Sequence, residues 1–327
     1  MVMGKHPPLS APAQRRLMAR ITALMEEKKF HLTQIRSRGP RYFLASGTYH
    51  GRPAIFKMTI RPIAQERLTN EKLGREYLFL STIQKLRSPL SRATPRVWHG
   101  GISPHAWYIR EEIRGTGALQ PHNETKYVNS FFNQSSQRQI GTTLASLQQQ
   151  KISVFPKSFQ SLLYSPQLPS FLWKFIAPYA QLVDTFMQQP GFAASCRPYF
   201  MAADKVFKRA PRVLAHQELY PAHFLRAGKQ WKIIDWENIG WALPTYDYVA
   251  MWLRAHERPR WQAAWQKHYE HAYRHYPDAK RLWDMTVFIQ SLFNVVGYHF
   301  YPRRAHFSHL ARAAAKQLRQ YPQFPSR

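Results

Sequence analysis

A lysine stands in the middle of an apolar run, Ala54-Ile55-Phe56-Lys57-Met58, and it constrains the fold more than any other residue. The run has the period of a β-strand from Ala54 to Ile60. An ammonium buried without a partner is costly, so Lys57 either lies on an edge strand facing water or is met by a carboxylate. Two more period-two runs precede it, Phe30 to Ile35 and Tyr42 to Tyr49. Their joints are Arg36-Ser37-Arg38-Gly39-Pro40-Arg41 and a tight His50-Gly51 turn. A helix is expected from Asn70 to Leu86, its buried side marked by Leu73, Tyr77, Leu80 and Ile83 or Gln84. Glu76 flanks that face and can reach back to Lys57; Glu71 is the alternative partner.

On either side of this block the period is helical. Residues 1–12 are Pro-rich, and Ala13 to Lys29 forms an amphipathic helix with Leu17, Ile21 and Leu24 on one face. That helix could lie on a membrane surface, but packing against its own domain is the simpler expectation. Val97-Trp98-His99 and Ala106 to Ile109 read as a fourth and fifth strand, the latter running into Arg110-Glu111-Glu112-Ile113-Arg114-Gly115. Gly115 and Gly117 punctuate the chain there. The organisation is therefore an N-terminal extension and helix (1–29), a sheet domain (30–114) and a helical domain (115–327). In the last, helices are expected over Tyr127 to Gln150, Leu172 to Met187, Tyr248 to Ala255, Leu282 to Tyr301 and Leu310 to Gln320. Trp261, Trp265, Tyr269 and Tyr273 recur every four residues, a ridge suited to helix packing and, less readily, to base stacking. Residues 118–210 carry no motif.

At 327 residues, with 44% hydrophobic and 14% aromatic content, the chain is rich enough in apolar residues for a packed globule. Cys196, the single cysteine, excludes an internal disulfide and fits a reducing compartment. The N-terminus has no apolar segment of the secretory kind, and no later run reaches spanning length without polar breaks. The expectation is a cytoplasmic protein. Its 47 basic and 18 acidic residues give a net charge of +29, which attracts anions and repels polycations.

Against that basic background, four carboxylates cluster between Leu214 and Asp247: Glu218, Asp235, Glu237 and Asp247. Val213-Leu214-Ala215 leads into His216-Gln217-Glu218 and a Pro-containing loop. Phe224-Leu225, a turn at Ala227-Gly228-Lys229 and the run Trp231-Lys232-Ile233-Ile234 then read as a hairpin ending abruptly on Asp235.

With Lys57 and Glu76, this stretch resembles the protein-kinase-like superfamily. His216-Gln217-Glu218-Leu219-Tyr220-Pro221, Ile234-Asp235-Trp236-Glu237 and Pro244-Thr245-Tyr246-Asp247 are similar to its aminoglycoside and choline phosphotransferase branch. His216, Tyr220 and His223-Phe224-Leu225 also look like the catalytic loop of the bacterial lipopolysaccharide-core (Kdo/heptose) kinases, where histidine stands in place of the commoner asparagine. The resemblance implies an α+β, two-lobed protein-kinase-like fold, with a small antiparallel-sheet N-lobe and a larger helical C-lobe. It implies an ATP-dependent phosphotransferase using Mg²⁺ and acting on a hydroxyl. In that scheme Lys57 holds the nucleotide's inner phosphates and Glu76 fixes Lys57. The turn around Gly39 covers the phosphates, and the backbone of Glu111, Glu112 and Ile113 meets adenine. Asp235 and His223 hold the metal, Glu218 takes the hydroxyl proton, and His216 orients its loop. Asp247 braces that loop.

Two residues depart from the commonest pattern. The family places aspartate at Glu218, and the extra methylene moves a carboxylate by about 1 Å, a shift that can cost about 100-fold in rate. Imidazole at His223 is also a poorer Mg²⁺ ligand than carboxylate or amide oxygen. The expected partners are a nucleotide and an anionic sugar or glycolipid such as lipopolysaccharide core, with peripheral contact at the cytoplasmic face of the inner membrane. Nucleic acid is disfavoured because no nucleic-acid motif accompanies the charge. The alternative is a catalytically impaired kinase-fold protein that binds an anionic membrane or nucleic acid.

Overall fold

The computed structural model describes residues 10–120, 123–128, 131–163, 168–300 and 305–320. In chain order its first part runs α1 (Ala11–Glu27), β1 (Phe30–Arg38), β2 (Tyr42–Tyr49), β3 (Arg52–Thr59), α2 (Arg67–Ile83), α3 (Pro89–Ala93), β4 (Val97–Gly101) and β5 (Trp107–Glu111). Short strands β6 (Thr116–Gly117), β7 (Leu119–Gln120) and β8 (Asn123–Tyr127) lead to α4 (Gln134–Gln148), α5 (Lys157–Gln160), α6 (Pro169–Ile176), α7 (Ala180–Met187) and α8 (Phe192–Arg209). Then come β9 (Val213–Ala215), β10 (Phe224–Ala227), β11 (Gln230–Ile233), β12 (Gly240–Ala242), α9 (Thr245–Arg254), α10 (Pro259–Ala272), α11 (Ala279–Phe300) and α12 (Ala305–Gln320).

The chain forms two compact units. The sheet unit comprises residues 1–115, 151–163 and 227–239; the helical unit comprises 116–150, 164–226 and 240–327. The architecture is mixed α/β, an antiparallel-sheet N-terminal lobe and a helical C-terminal part.

The sheet runs β1-β2-β3-β5-β4, with every neighbouring pair antiparallel. His50 and Gly51 connect β2 to β3 with φ of 48° and 72°, the left-handed pair that matches strand twist in a two-residue hairpin. A Cβ on Gly47 would stand 2.1 Å from the His31 carbonyl oxygen, so β1 and β2 approach here only because the residue is glycine. Lys57 pairs with Leu44 on one side and Tyr108 on the other, so it is on a central strand and the edge-strand reading falls. Side chains alternate across a strand. Phe56 and Met58 pack with Phe43, Ala45 and Ile109 against Ile21 and Met25 of α1, while Lys57 points the other way. The N-terminal helix therefore covers its own sheet. Under α2, Phe79 stacks on Phe155 and Phe159 and meets Trp236 at 4.7 Å.

Two expectations in the helical part are corrected. The helix expected from Tyr127 begins at Gln134, because the Asn133 side chain accepts from Ser136 N and caps it there; residues 123–127 are instead strand β8. The helix expected over Leu172 to Met187 is two, α6 and α7, separated by a 3₁₀ turn at Ala177–Tyr179 that contains Pro178. The motif-free region also contains α8, which runs through Pro198 and buries Ala193, Tyr199, Phe200 and Ala203. The aromatic ridge of α10 is a packing face: Trp265 Nε1 donates to the Tyr248 carbonyl at 2.8 Å, and Tyr269 Oη donates to the Ala279 carbonyl at 3.0 Å. No helix among the described residues is long and apolar enough to cross a membrane.

Candidate active site

Lys57, Glu76, Asp235, Gly39, Glu112 and Ile113 belong to the sheet unit; His216, Glu218 and His223 belong to the helical unit. Within the sheet unit, the ion pair expected between strand and helix is present. Lys57 Nζ lies 3.0 Å from Glu76 Oε2, 3.5 Å from Asp235 Oδ1 and 3.6 Å from Glu237 Oε2, and 4.7 Å above the ring of Tyr42. Burial opposes the charge on Lys57, but Glu76, Asp235 and Glu237 outweigh it and hold its pKa well above the ordinary lysine value. One ammonium thus faces three carboxylates whose oxygens lie within 4.8 Å of one another. Burial raises the Glu76 carboxyl, and the hard oxygen ligands of the cluster suit a divalent cation such as Mg²⁺.

Helix α2 holds the Asp235 segment with two adjacent side chains. Glu76 Oε1 accepts from Trp236 N at 3.1 Å. Arg75, fully buried, donates through Nε (3.2 Å) and Nη2 (2.6 Å) to the Glu237 carbonyl and through Nη1 (2.8 Å) to that of Leu162. Asp235 itself is left-handed, with φ 64° and ψ 56°. A non-glycine residue persists there only where its surroundings over-determine it, and the bonds to Trp236 and Glu237, the two residues that follow Asp235, do so.

Gly39 sits in the turn between β1 and β2 and donates to Ser37 Oγ at 3.1 Å. Glu112 follows β5; its side chain forms an ion pair with Arg36 of β1. Its N–H donates to the Pro53 carbonyl at 3.1 Å, and that of Glu111 to the Arg96 carbonyl at 2.7 Å. Of this trio, Ile113 is the one whose N–H has no partner among the described residues.

In the helical unit, β9 pairs with β12, Ala215 opposite Gly240, and delivers the chain into the loop. Asp247, on α9, accepts from His216 N at 2.7 Å and Gln217 N at 3.0 Å. Gln217 is left-handed, with φ 66°, so both acidic motifs contain one such residue. Burial lifts the Asp247 carboxyl to about 7 despite these donors, which favour the anion. His223 Nδ1 lies 2.7 Å from the Glu218 carbonyl oxygen. A carbonyl only accepts, so Nδ1 carries a proton, and Nε2 is the nitrogen through which a neutral His223 ring would bind a metal. His216 is buried with its ring 5.7 Å from that of His223.

Sequence reasoning missed Arg75. It stands four residues after Glu71, the spacing of an exposed helical pair, whereas Glu71 takes Arg67 and Arg75 turns inward. It also missed a cavity of about 380 Å³ in the helical unit, whose wall residues range from Leu172 to Asn294.

The sequence pattern of the phosphotransferase enzyme family matches residues 93–283. No curated protein matches the chain. Among solved structures, macrolide 2′-phosphotransferase from Brachybacterium faecium is similar at 17% identity and a TM-score of 0.59, covering 90% of this chain and 97% of that one. Choline kinase from Streptococcus pneumoniae is similar at 14% identity and 0.57, covering 95% and 100%. An ADP-bound aminoglycoside phosphotransferase, APH(2″)-Ib, is similar at 13% identity and 0.57, covering 95% and 99%. At these identities the likeness is one of fold.

Proposed function

The chain belongs to the phosphotransferase enzyme family, and from that premise we propose that it transfers the terminal phosphoryl group of ATP to a hydroxyl of an anionic sugar or glycolipid. The observation that carries this reading is the buried Lys57 ammonium ringed by Glu76, Asp235 and Glu237. Phosphoryl transfer asks mainly for positioning and charge neutralisation, and such a cluster supplies both.

Lys57, fixed by Glu76, contacts the inner phosphates. Asp235 and Glu237 would hold Mg²⁺ from the sheet unit, and His223, in the helical unit, keeps the ligand role that the resemblance implies. When bound, that ion would neutralise phosphate charge. The turn at Gly39 closes over the phosphates, while Ile113 N–H and the backbone carbonyl of Glu112 meet the base. Glu218 accepts the proton of the acceptor hydroxyl as its oxygen bonds to the γ-phosphorus. The bond to the bridging oxygen breaks and ADP leaves. His216 and Asp247 keep the Glu218 loop in place through the two backbone bonds to Asp247.

The acceptor class rests on charge and on one motif. A net charge of +29 favours an anionic acceptor over a polycation, and His223 stands where the core-sugar kinases carry histidine. An acceptor of the lipopolysaccharide-core kind would bring this protein to the cytoplasmic membrane face, the basic surface meeting anionic lipid.

The test is ATP- and Mg²⁺-dependent phosphate transfer to core oligosaccharide and small anionic sugars. Asp235→Ala and Glu218→Gln should each abolish it, the latter with nucleotide affinity retained. Transfer that survives both variants would refute the assignment.

A further inference from the structure

Helices α6 and α8 pack side by side in the helical unit. Ser170 donates to Asp204 from its backbone N–H (2.9 Å) and from its hydroxyl (2.6 Å), and the Trp173 ring meets that of Phe200 at 5.4 Å. These pairs make the helices antiparallel. The residue after each of the four is exposed: Phe171 and Lys174 on α6, Met201 and Lys205 on α8. A step of one residue turns each helix by the same angle, and on antiparallel helices that turn carries both sets to the same side of the seam. Phe175, four residues after Phe171, and Arg197, four before Met201, extend this face by a turn on each helix.

Phe171, Phe175 and Met201 are 41%, 37% and 40% exposed, three of the seven exposed large apolar side chains among the described residues. Apolar residues scattered singly on a surface need no explanation, whereas three on adjoining turns mark an interaction face. The rings of Phe171 and Phe175 meet edge to face at 5.3 Å, and Lys174 Nζ lies 5.8 Å from the centre of the Phe171 ring. The surrounding charge is of one sign. From Tyr127 to Gln217 the sequence holds two acidic residues, Asp184 and Asp204. Asp204 is taken up by Ser170, and Asp184 accepts from the N–H groups of Gly191 (2.9 Å) and Ala193 (2.7 Å) at the start of α8.

We propose that this α6–α8 face docks the protein on a bilayer that contains anionic phospholipid. Phe171, Phe175 and Met201 enter the boundary between headgroups and acyl chains, while Lys174, Arg197 and Lys205 reach the headgroup phosphates on their long stems. The core of a protein–protein interface is depleted of lysine; here lysines alternate with the apolar tips, which favours the bilayer over an acidic protein. Net charge alone draws a chain to anionic lipid in any orientation, whereas these residues select one. The inference gives a surface to the membrane contact proposed with the acceptor class, and it rests on that reading only for what the protein would meet at the membrane.

Flotation of the full chain with phosphatidylcholine vesicles, with and without phosphatidylglycerol, tests this in the absence of nucleotide and acceptor. The chain should float with the anionic vesicles and much less with the neutral ones. Phe171→Ser/Phe175→Ser should weaken anionic-vesicle binding at least about tenfold, the scale of one ring withdrawn from an apolar medium, and Phe171→Leu/Phe175→Leu should restore most of it. Lys174→Gln/Lys205→Gln should weaken it by about fivefold per charge, whereas Lys85→Gln/Arg87→Gln, an equal loss of charge from exposed positions of the sheet unit, should change it less than about twofold. Wild-type binding by the serine pair overturns the proposal, as do equal losses from the two charge pairs, since either would leave net charge as the whole cause. If the serine pair does not fold, the charge pairs decide. Binding of poly-L-glutamate through the same residues, without flotation, would assign the face to an acidic protein and overturn the bilayer. Flotation without phosphate transfer would overturn only the phosphotransferase reading, and transfer without flotation only this inference.

Discussion

Replacing Arg75 by methionine removes a guanidinium that is fully buried and bonded to two backbone carbonyls by three N–H groups. Methionine keeps the unbranched, apolar stem and returns none of the donors. The carbonyls of Glu237 and Leu162 would then stay buried with these partners lost. A hydrogen bond to a charged group contributes about 1.5–3 kcal/mol net, but Nε and Nη2 share one acceptor, so the loss is nearer two bonds than three. Relief from burying a cation offsets part of it, because the desolvation of the guanidinium disappears as well. The expected net destabilisation is about 3 kcal/mol, a large fraction of the margin of an ordinary domain. Urea unfolding followed by tryptophan fluorescence would read it as a lowered midpoint, with Arg87→Met as the exposed control. Because the lost bonds hold the residue two after Asp235, Mg²⁺-nucleotide affinity should also fall by about tenfold. Arg75→Lys, with three donors on a compact head, should recover part of both. A midpoint for Arg75→Met equal to that of Arg87→Met would refute the reasoning, since it would mean that these bonds add nothing to the hold on the 235–237 segment.

Lys57→Met leaves Glu76, Asp235 and Glu237 without their shared ammonium. The variant should be less stable, and Mg²⁺ should raise its melting temperature more than that of the wild type; equal Mg²⁺ shifts would contradict the shared-charge account. Asp247 gives a pH dependence of defined sign. Its carboxyl, lifted by burial to about 7, keeps a proton in the folded chain that the unfolded chain releases near pH 4. Its contribution to stability is therefore complete below about pH 4, declines as pH rises toward about 7, and is flat above that. Asp247→Asn should remove this slope from urea midpoints measured between pH 5 and 8, and an unchanged slope in the variant would place its origin elsewhere.

Much of the sheet unit was legible because its signals are local. Alternation marked the strands, the His50-Gly51 turn fixed a hairpin, and a lysine in an apolar run demanded a counter-ion, which Glu76 supplies. The helix boundaries were less legible because caps decide them: Asn133 starts α4 some seven residues after the point that hydrophobic spacing alone suggested. Arg75 was hidden for a related reason. Spacing along a helix says which residues are neighbours on its surface, but not that the neighbouring face will be covered by the segments at Leu162 and Glu237. The cavity was hidden more deeply, since its wall draws on α6, α8, α9, α11 and the Glu218 loop, and no single stretch carries its signature.

The same distinction explains how a chain of net charge +29 can carry an acidic centre. Composition describes the long-range field, which reaches solvent and concentrates anions near the surface. Chemistry is set at contact distance, where Lys57 meets three carboxylates rather than more cations. A nucleotide approaching through the positive field would meet repulsion at the last few ångströms unless Lys57 and a divalent cation offset those carboxylates. A cation held by Asp235 and Glu237 would offset that excess, and burial, which raises the Glu76 carboxyl, offsets part of it by favouring a proton there.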